Sequence, residues 1–272
     1  MLKKADRSEA SSSVLTSSTE LFYFYRETLE RCAQLSTGQP LLDLANLYRK
    51  WLRVYADDVL SASISRRERR SGDGRATATP QICLALNTAE YCAETASQLQ
   101  ESLRQRIDAD LKARVSFEDE RDMFLGVTST AILALLFEVE LSLEPFFNQM
   151  LRSPWRDAEY VSSESAYAGD LVHSLQSTAG LVKEHIEHKK YLRSFFDKLV
   201  GLVMAKFTQT LVRCRPISQT GSEQVRAVAT PTEIQRLTRQ RRSCWTSSCS
   251  GSACCSCHRW ATRHHRARTR AT

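Results

Sequence analysis

The chain is poor in the residues that interrupt regular structure. Its 272 residues include only nine glycines and six prolines, few for a barrel, a sandwich or a phosphate-cradling enzyme. No stretch alternates apolar and polar residues with the period of a strand, so we expect an all-α protein. The longest apolar run, Ala131 to Phe137, is far shorter than the ~20 residues that cross a bilayer. The N-terminus lacks the apolar core of a secretory signal, and we therefore expect a cytosolic protein.

Catalytic motifs are also absent from the sequence. It contains no nucleophile elbow, phosphate loop or dinucleotide fingerprint. The acid pairs Asp57-Asp58 and Asp119-Glu120 are adjacent, so on a helix their side chains point about 100° apart and cannot share a substrate. We expect no catalytic residues, no cofactor and no enzyme activity.

Two groups of histidine and cysteine residues resemble a metal site or a haem-attachment site. His185 and His188 lie one turn apart on a predicted helix, but a di-metal site in a bundle needs paired Glu-x-x-His motifs, which the chain lacks. Cys254 to His258 match the haem-attachment pattern C-x-x-C-H without an export signal or apolar walls for a haem. The tail cysteines offer zinc a single spaced ligand pair, whereas a structural site normally uses two. We expect no metal site and no haem.

Positive charge is concentrated at the C-terminus. Residues 226–272 contain ten arginines, no lysine and the single acid Glu233, a net charge of +9. Because the whole chain carries +7, residues 1–225 carry −2. Such a tail attracts phosphate in a salt-dependent way, so an RNA- or anionic-surface-binding protein acting through this tail is the alternative hypothesis. No recognised reading module accompanies the tail, and we expect no specific nucleic acid.

Periodic apolar residues predict a series of helices. Thr19 is the predicted cap of the first helix, and Gly38-Gln39-Pro40 separates it from the second. The second helix is expected to bury a wide stripe, in which Leu44, Leu47, Trp51 and Val54 are flanked by Tyr48, Leu52 and Tyr55.

Later helices follow the same pattern. Pro80 starts the third, whose apolar side comprises Ile82, Leu86, Ala89, Ala93, Ala96, Leu99, Leu103 and Ile107. The fourth spans 118–151, where Pro145 should kink it or begin a new segment. Another helix covers 167–182, either separate from the next helix or continuous with it. The last ends before Pro216 and carries the apolar stripe Leu192, Phe195, Leu199, Leu202, Val203, Phe207 and Leu211.

These patterns divide the chain into four parts. We expect a disordered lead-in at 1–18, a helical bundle at 19–151 with a loop at 65–79, a second and incomplete bundle at 152–225, and a disordered basic tail at 226–272.

Four blocks of sequence carry a family resemblance. They are Leu21-Phe22-Tyr23-Phe24-Tyr25, Gln34-Leu35-Ser36-Thr37-Gly38-Gln39-Pro40, Leu86-Asn87-Thr88-Ala89-Glu90-Tyr91-Cys92, and Arg213-Cys214-Arg215-Pro216-Ile217-Ser218 followed by Gly221-Ser222-Glu223-Gln224. In this order and spacing they resemble the C-terminal part of the vacuolar protein sorting-associated protein fifty-three family. Members are subunits of the Golgi-associated retrograde protein complex (GARP) and its endosomal relative (EARP). The block from Asn87 to Cys92 is the most specific.

The resemblance implies a fold and a role. It implies an elongated stack of antiparallel helical bundles that captures endosome-derived vesicles at the trans-Golgi network before SNARE-driven fusion. It implies other GARP/EARP subunits and SNAREs or vesicle surfaces as partners, and a peripheral location on trans-Golgi network and endosome membranes. Family members assemble mainly through an N-terminal helical region, and we expect this chain to begin after it.

The resemblance stops at Val225. There the family continues with leucine-rich helix. In this chain the frequencies of arginine, serine, cysteine and tryptophan increase together instead, and lysine is absent from 226–272. A shifted reading frame or a mis-spliced exon produces such a change, so we predict that 226–272 is not native family sequence. In that case the second bundle lacks its closing helices and exposes apolar surface along the Leu192–Leu211 stripe.

Five residues make up the predicted contact surface. Glu90 and Tyr91 lie in the most specific block, and Lys206, Arg213 and Arg215 form a basic end to the last helix. That end could meet an acidic membrane or SNARE surface. The alternative is structural: Tyr91 packs in the core, and the bases simply suit the negative end of a helix dipole.

Overall fold

The computed structural model describes residues 13–65, 78–157 and 165–228. Within those ranges the regular structure is helical and contains no strand, which confirms the predicted all-α helical bundle. The helices are α1 (Thr16–Leu35), α2 (Gln39–Val54), α3 (Thr79–Arg106), α4 (Glu118–Arg152), α5 (Ala166–His185), α6 (Lys189–Arg213) and α7 (Gln219–Val228). A π-helical segment (Tyr55–Ser61) continues α2, and a 3-10 segment (Ala109–Arg114) lies between α3 and α4.

Helix α4 is the centre of the bundle and contacts α2, α3, α5 and α6. Helix α3 is antiparallel to it, since the Arg104 side chain near the end of α3 donates to the carbonyl of Val115 just before α4. Helix α6 is parallel to α4, because Cys214 after the end of α6 contacts the carbonyl of Met150 near the end of α4. The helical stretch Ala109–Arg152 is long and apolar enough to cross a bilayer, but 56% of its most apolar window is buried. That burial is typical of a core helix.

A buried ion pair fixes α2 against the start of α4. The Glu120 carboxylate is buried and lies 3.1 Å from Arg49 and 2.7 Å from Arg53. Both arginines are on α2 and are partly exposed. Two guanidinium groups therefore neutralise a carboxylate that burial alone would destabilise.

Glycine and proline predicted the helix boundaries well. The break at Gly38 to Pro40 and the start at Pro80 are confirmed, because α2 begins at Gln39 and α3 at Thr79. Helix α6 ends at Arg213, before Pro216 as predicted. Helix α4 continues through Pro145 without a new segment. Its start at Glu118 is confirmed, and it ends one residue beyond the predicted Leu151.

The predicted cap at Thr19 is wrong. Helix α1 begins at Thr16, and the Thr19 hydroxyl donates to the carbonyl of Thr16 inside the first turn. The chain before α1 is held instead by a tertiary bond, since the backbone N–H of Leu15 donates to Thr88 Oγ1 on α3 at 3.0 Å. Residues 1–12 of the predicted lead-in lie outside the described ranges, whereas Ser18 is helical and buried.

The predicted buried stripe of α2 is confirmed at Tyr48, Leu52 and Tyr55 and is wrong at Leu47 and Trp51. Leu47 and Trp51 are exposed, and Trp51 keeps 50% of its surface in solvent. The buried face consists of Leu41, Leu42, Ala45, Tyr48 and Leu52. Tyr48 decides this orientation, because its ring stacks on Tyr25 of α1 at 4.2 Å and its hydroxyl donates to the Tyr25 carbonyl. Near the end of α4 the buried phenylalanine is Phe147, whereas Phe146 is half-buried.

The last apolar stripe is buried only along the first half of α6. Phe195 and Leu199 are buried, whereas Phe207 and Leu211 are half-buried. The difference follows from the position of α3, which begins at Thr79 beside Glu138 of α4, where the backbone N–H of Ala78 meets the Glu138 carboxylate. The part of α4 after Glu138 has α5 and α6 as neighbours and is no longer covered by α3.

The described residues belong to one compact unit, 1–230. The predicted division at 151/152 into two bundles stays a prediction. The loop predicted at 65–79 has helical residues at both ends, and 66–77 lie outside the described ranges. Helix α7 extends to Val228, and the rest of the predicted tail lies outside the described ranges.

Candidate functional site

The Asn87–Cys92 block forms a polar junction inside the bundle. Asn87 is only 3% exposed, and its Nδ2 donates to the carbonyls of His185 at 2.8 Å and Ser13 at 3.3 Å. Its Oδ1 accepts from the backbone N–H of Glu187 at 3.4 Å. The Asn87 side chain of α3 is therefore hydrogen-bonded both to the connection between α5 and α6 and to the chain before α1.

Glu90 extends this junction to α6. The residue is 2% exposed, and its carboxylate accepts hydrogen bonds from the Lys190 ammonium and the Tyr191 hydroxyl. Burial acts to raise the pKa of Glu90, but the hydrogen bonds from Lys190 and Tyr191 and the Lys190 charge outweigh it, so the pKa lies below its usual value. The side chain of this predicted contact residue is therefore engaged within the fold.

Tyr91 occupies an intermediate position. It is half-buried, and its ring packs edge-on against Phe22 of α1 with centroids 5.9 Å apart. It also lines a groove of about 620 Å³ between α1 and α3. The next residue, Cys92, is buried, and burial raises the pKa of its thiol to about 12. Part of the Tyr91 ring therefore packs inside the fold, as the structural alternative predicted, and the residue remains partly open to solvent.

The two histidines considered for a metal site do not share a helix face. His185 is the last residue of α5, with its Nδ1 2.8 Å from the Leu181 carbonyl, and His188 precedes α6. The predicted one-turn spacing is wrong because the helix breaks between them. His188 instead lies near Glu90 and Glu94, with potential ligand atoms within 4.8 Å of one another. The Lys190 ammonium already binds the Glu90 carboxylate, so a metal ion there would have to displace a cation.

The Gly221–Gln224 block also has a packing role. A Cβ atom on Gly221 would lie 2.4 Å from the Trp155 carbonyl oxygen, so glycine is required for this close approach of α7. The Ser218 hydroxyl donates to the same oxygen at 3.0 Å, and Gln224 Nε2 donates to Ser165 Oγ at 3.1 Å. These bonds fix α7 against the residues that flank the α4–α5 connection. The sequence marked Gly221 only as part of a block and did not indicate its partner.

The predicted basic residues lie at the other end of α6. Lys206 forms an ion pair with Glu140 of α4 at 2.5 Å, and Arg213 and Arg215 are exposed. Lys206 and Arg213 line the same groove of about 520 Å³ between α4 and α6. Lys206 lies sixteen residues beyond Lys190 on α6, or ~24 Å at 1.5 Å per residue. Glu90 and Tyr91 therefore lie in the block at the polar junction, and Lys206 and Arg213 lie at this groove. Arg215 follows the end of α6 and is not among the residues that line the groove.

We call the hollow between α4 and the second half of α6 the α4–α6 groove. Phe147 and Leu151 line it from α4, and Thr210 and Val212 from α6. Phe147 and Thr210 are buried, Leu151 is half-buried and Val212 is exposed. A concave surface with an apolar base and charged walls can bind a peptide but holds no described nucleophile–base pair.

The chain is similar in sequence to curated proteins from a plant, a worm and a yeast that share one name. No family model and no solved structure matches the chain. It is 27% identical over 221 residues to vacuolar protein sorting-associated protein 53 A of Arabidopsis thaliana, covering 78% of this chain and 27% of the relative. It is 29% identical over 228 residues to the Caenorhabditis elegans homolog of that name, covering 77% and 28%. With the Saccharomyces cerevisiae protein of that name it shares 24% identity over 245 residues, covering 81% and 30%.

These matches confirm the resemblance carried by the four sequence blocks. The chain has homologues of this name in a plant, a worm and a yeast. It spans less than a third of the length of the curated relatives it matches.

Proposed function

We infer from this homology that the chain is a non-enzymatic, helical part of a GARP/EARP-like vesicle-tethering complex. Its proposed role is in retrograde transport from endosomes to the trans-Golgi network. The observation that carries the proposal is the similarity to proteins named vacuolar protein sorting-associated protein 53, over about four-fifths of this chain in three distant organisms. Because the chain spans less than a third of these relatives, it performs one part of such a subunit's work.

The proposed partners are the other subunits of the complex and SNAREs or the surface of the vesicle. The proposed location is the cytosol, peripheral to trans-Golgi network and endosome membranes. A tether acts by offering surfaces that touch several partners, and it requires no reacting side chains. The all-helical bundle is compatible with this role, and Asn87, Glu90 and Gln224 of the sequence blocks connect elements of that bundle.

The experiment is affinity purification of the gene product tagged at its own locus, so that its natural length is retained. We expect the other subunits of a tethering complex to co-purify in stoichiometric amounts. A tagged, unrelated helical protein of similar abundance is the control. Recovery of no tethering subunit would remove the basis for the proposal.

The alternative function is binding of RNA or an anionic surface through 226–272. The +9 charge of that segment favours it, and the segment lies almost entirely outside the described ranges. Deleting 226–272 separates the two functions. Binding that disappears both on deletion and at moderate salt would support the alternative, whereas unchanged recovery of tethering subunits would support the tether.

A further inference from the structure

The α4–α6 groove has an apolar base that is partly open to solvent. Val212 lines the groove and is 57% exposed, although it belongs to a helix whose first half is well packed. Phe147 forms a buried base, and Leu151 is half-buried. Helix α3 begins beside Glu138, so it does not extend over this part of α4 and α6. The groove therefore presents Val212 and Leu151 to solvent above a buried phenylalanine.

The two walls of the groove have opposite charge. Helix α4 contributes Glu140 and Glu144, and α6 contributes Lys206 and Arg213. Glu140 and Lys206 pair with each other across the groove. The other lining residues all follow them in sequence, so this pair closes one end. Glu144 and Arg213 form no ion pair with any residue in the described ranges, which leaves an acidic and a basic wall along the open part.

The dimensions of the groove suit a short helix. From Glu140 to Leu151 the α4 wall extends ~17 Å, which is about three helical turns. An amphipathic helix places an apolar stripe in such a groove through residues at i, i+3, i+4 and i+7. An anionic bilayer, in contrast, is attracted to surfaces of uniformly positive charge. The concave, apolar base and the walls of mixed charge favour a peptide ligand.

We propose that the α4–α6 groove binds an amphipathic helix of a partner protein, whose apolar stripe is flanked by a basic row facing Glu144 and an acidic row facing Arg213. This proposal extends the proposed function, because it states the chemistry of one partner. It rests on the proposed function only in assuming that such a partner exists. Apolar contacts with Phe147 and Val212 supply most of the affinity, and the two charged walls set which helices fit.

The test uses the full chain and a fluorescent synthetic peptide of about fourteen residues. The peptide carries leucines at helical spacing, glutamates on one flank and lysines on the other. Its net charge is zero, so the basic tail gains no net Coulomb attraction for it. Fluorescence anisotropy measures the dissociation constant. A peptide of the same composition in scrambled order, which has no apolar stripe, is the ligand control.

We expect Val212→Ser and Arg213→Glu each to weaken binding about tenfold, as loss of a central contact does. The matched controls are Leu35→Ser on α1 and Lys198→Glu on α6, which change exposed residues away from the groove and should bind like the unmodified chain. All four positions are solvent-exposed, and circular dichroism verifies that each variant keeps its helix content.

Three results would overturn the proposal. They are absence of binding by the unmodified chain, equal binding of the scrambled peptide, and equal weakening by the control variants. Arg213-dependent binding of phosphatidylserine vesicles without binding of the peptide would overturn it as well and indicate a membrane contact. None of these outcomes affects the recovery of tethering subunits by affinity purification, so failure of the groove and failure of the tether are distinguishable.

Discussion

Asn87→Ala tests whether the most specific sequence block serves to hold the bundle together. The substitution removes donors to the carbonyls of His185 and Ser13 and an acceptor for the N–H of Glu187. It leaves the helix propensity of α3 unharmed, because alanine is the best helix former. Any loss of stability therefore reports the tertiary hydrogen bonds and the packing of one side chain.

The expected loss is about 2 kcal/mol. The 2.8 Å bond to His185 is strong by its length, whereas the bonds of 3.3 and 3.4 Å are weak. A net hydrogen bond contributes about 1 kcal/mol, and a partner left unsatisfied in a buried site costs about 1–3 kcal/mol. We choose the lower part of this range because the backbone partners are only partly buried.

Urea denaturation followed by circular dichroism measures the effect. With a slope of about 2 kcal/mol per molar urea, the midpoint of Asn87→Ala should fall by about 1 M. Asn148→Ala is the matched control, since Asn148 is exposed on α4, and its stability should stay within about 0.5 kcal/mol of the unmodified chain. An Asn87→Ala midpoint equal to that of the control would refute the assignment of this block to the polar junction.

Further substitutions probe the other contacts. Because the pKa of Glu90 is lowered in the folded state, Glu90→Gln should destabilise most at neutral pH, and its difference from the unmodified chain should shrink as pH falls below about 4; urea titrations across pH check this. Gly221→Ala should cost about 1–3 kcal/mol and speed hydrogen exchange in α7, since its Cβ would meet the Trp155 carbonyl. Gly180→Ala, with no atom within 4 Å of the new Cβ, should instead stabilise by about 0.5–1 kcal/mol. Glu120→Gln should lower the free energy of unfolding by about 1–3 kcal/mol, because two arginines lose their charged partner.

Sequence periodicity predicted the helices best where burial is extensive. All eight apolar positions expected along α3 from Ile82 to Ile107 are buried, and α4 has the predicted start at Glu118. These helices are surrounded by neighbours, so the apolar pattern and the buried face coincide. On α2 the pattern was wider than the buried face, and Tyr25 of another helix decided which residues are covered. Periodicity cannot contain that information, because the partner is distant in the sequence.

The predicted contact residues show the same limit. Glu90 could be identified as part of a specific block, but its partners Lys190 and Tyr191 lie about one hundred residues away. Their pairing depends on how α3 and α6 pack, which no local pattern reports. Lys206 and Arg213 were predicted from their position near a helix end. The structure shows that they line a groove whose other wall is α4. That they bind a partner there stays a prediction.

Vesicle capture by the chain itself is the decisive measurement for the proposed tethering function. The full chain is anchored to the surface of mitochondria in cells, and endosome-derived vesicles are counted around the mitochondria by fluorescence microscopy. We expect vesicles to gather around mitochondria that carry the chain and not around those that carry the anchor alone. Equal numbers of vesicles in the two cases would contradict the proposed tethering function.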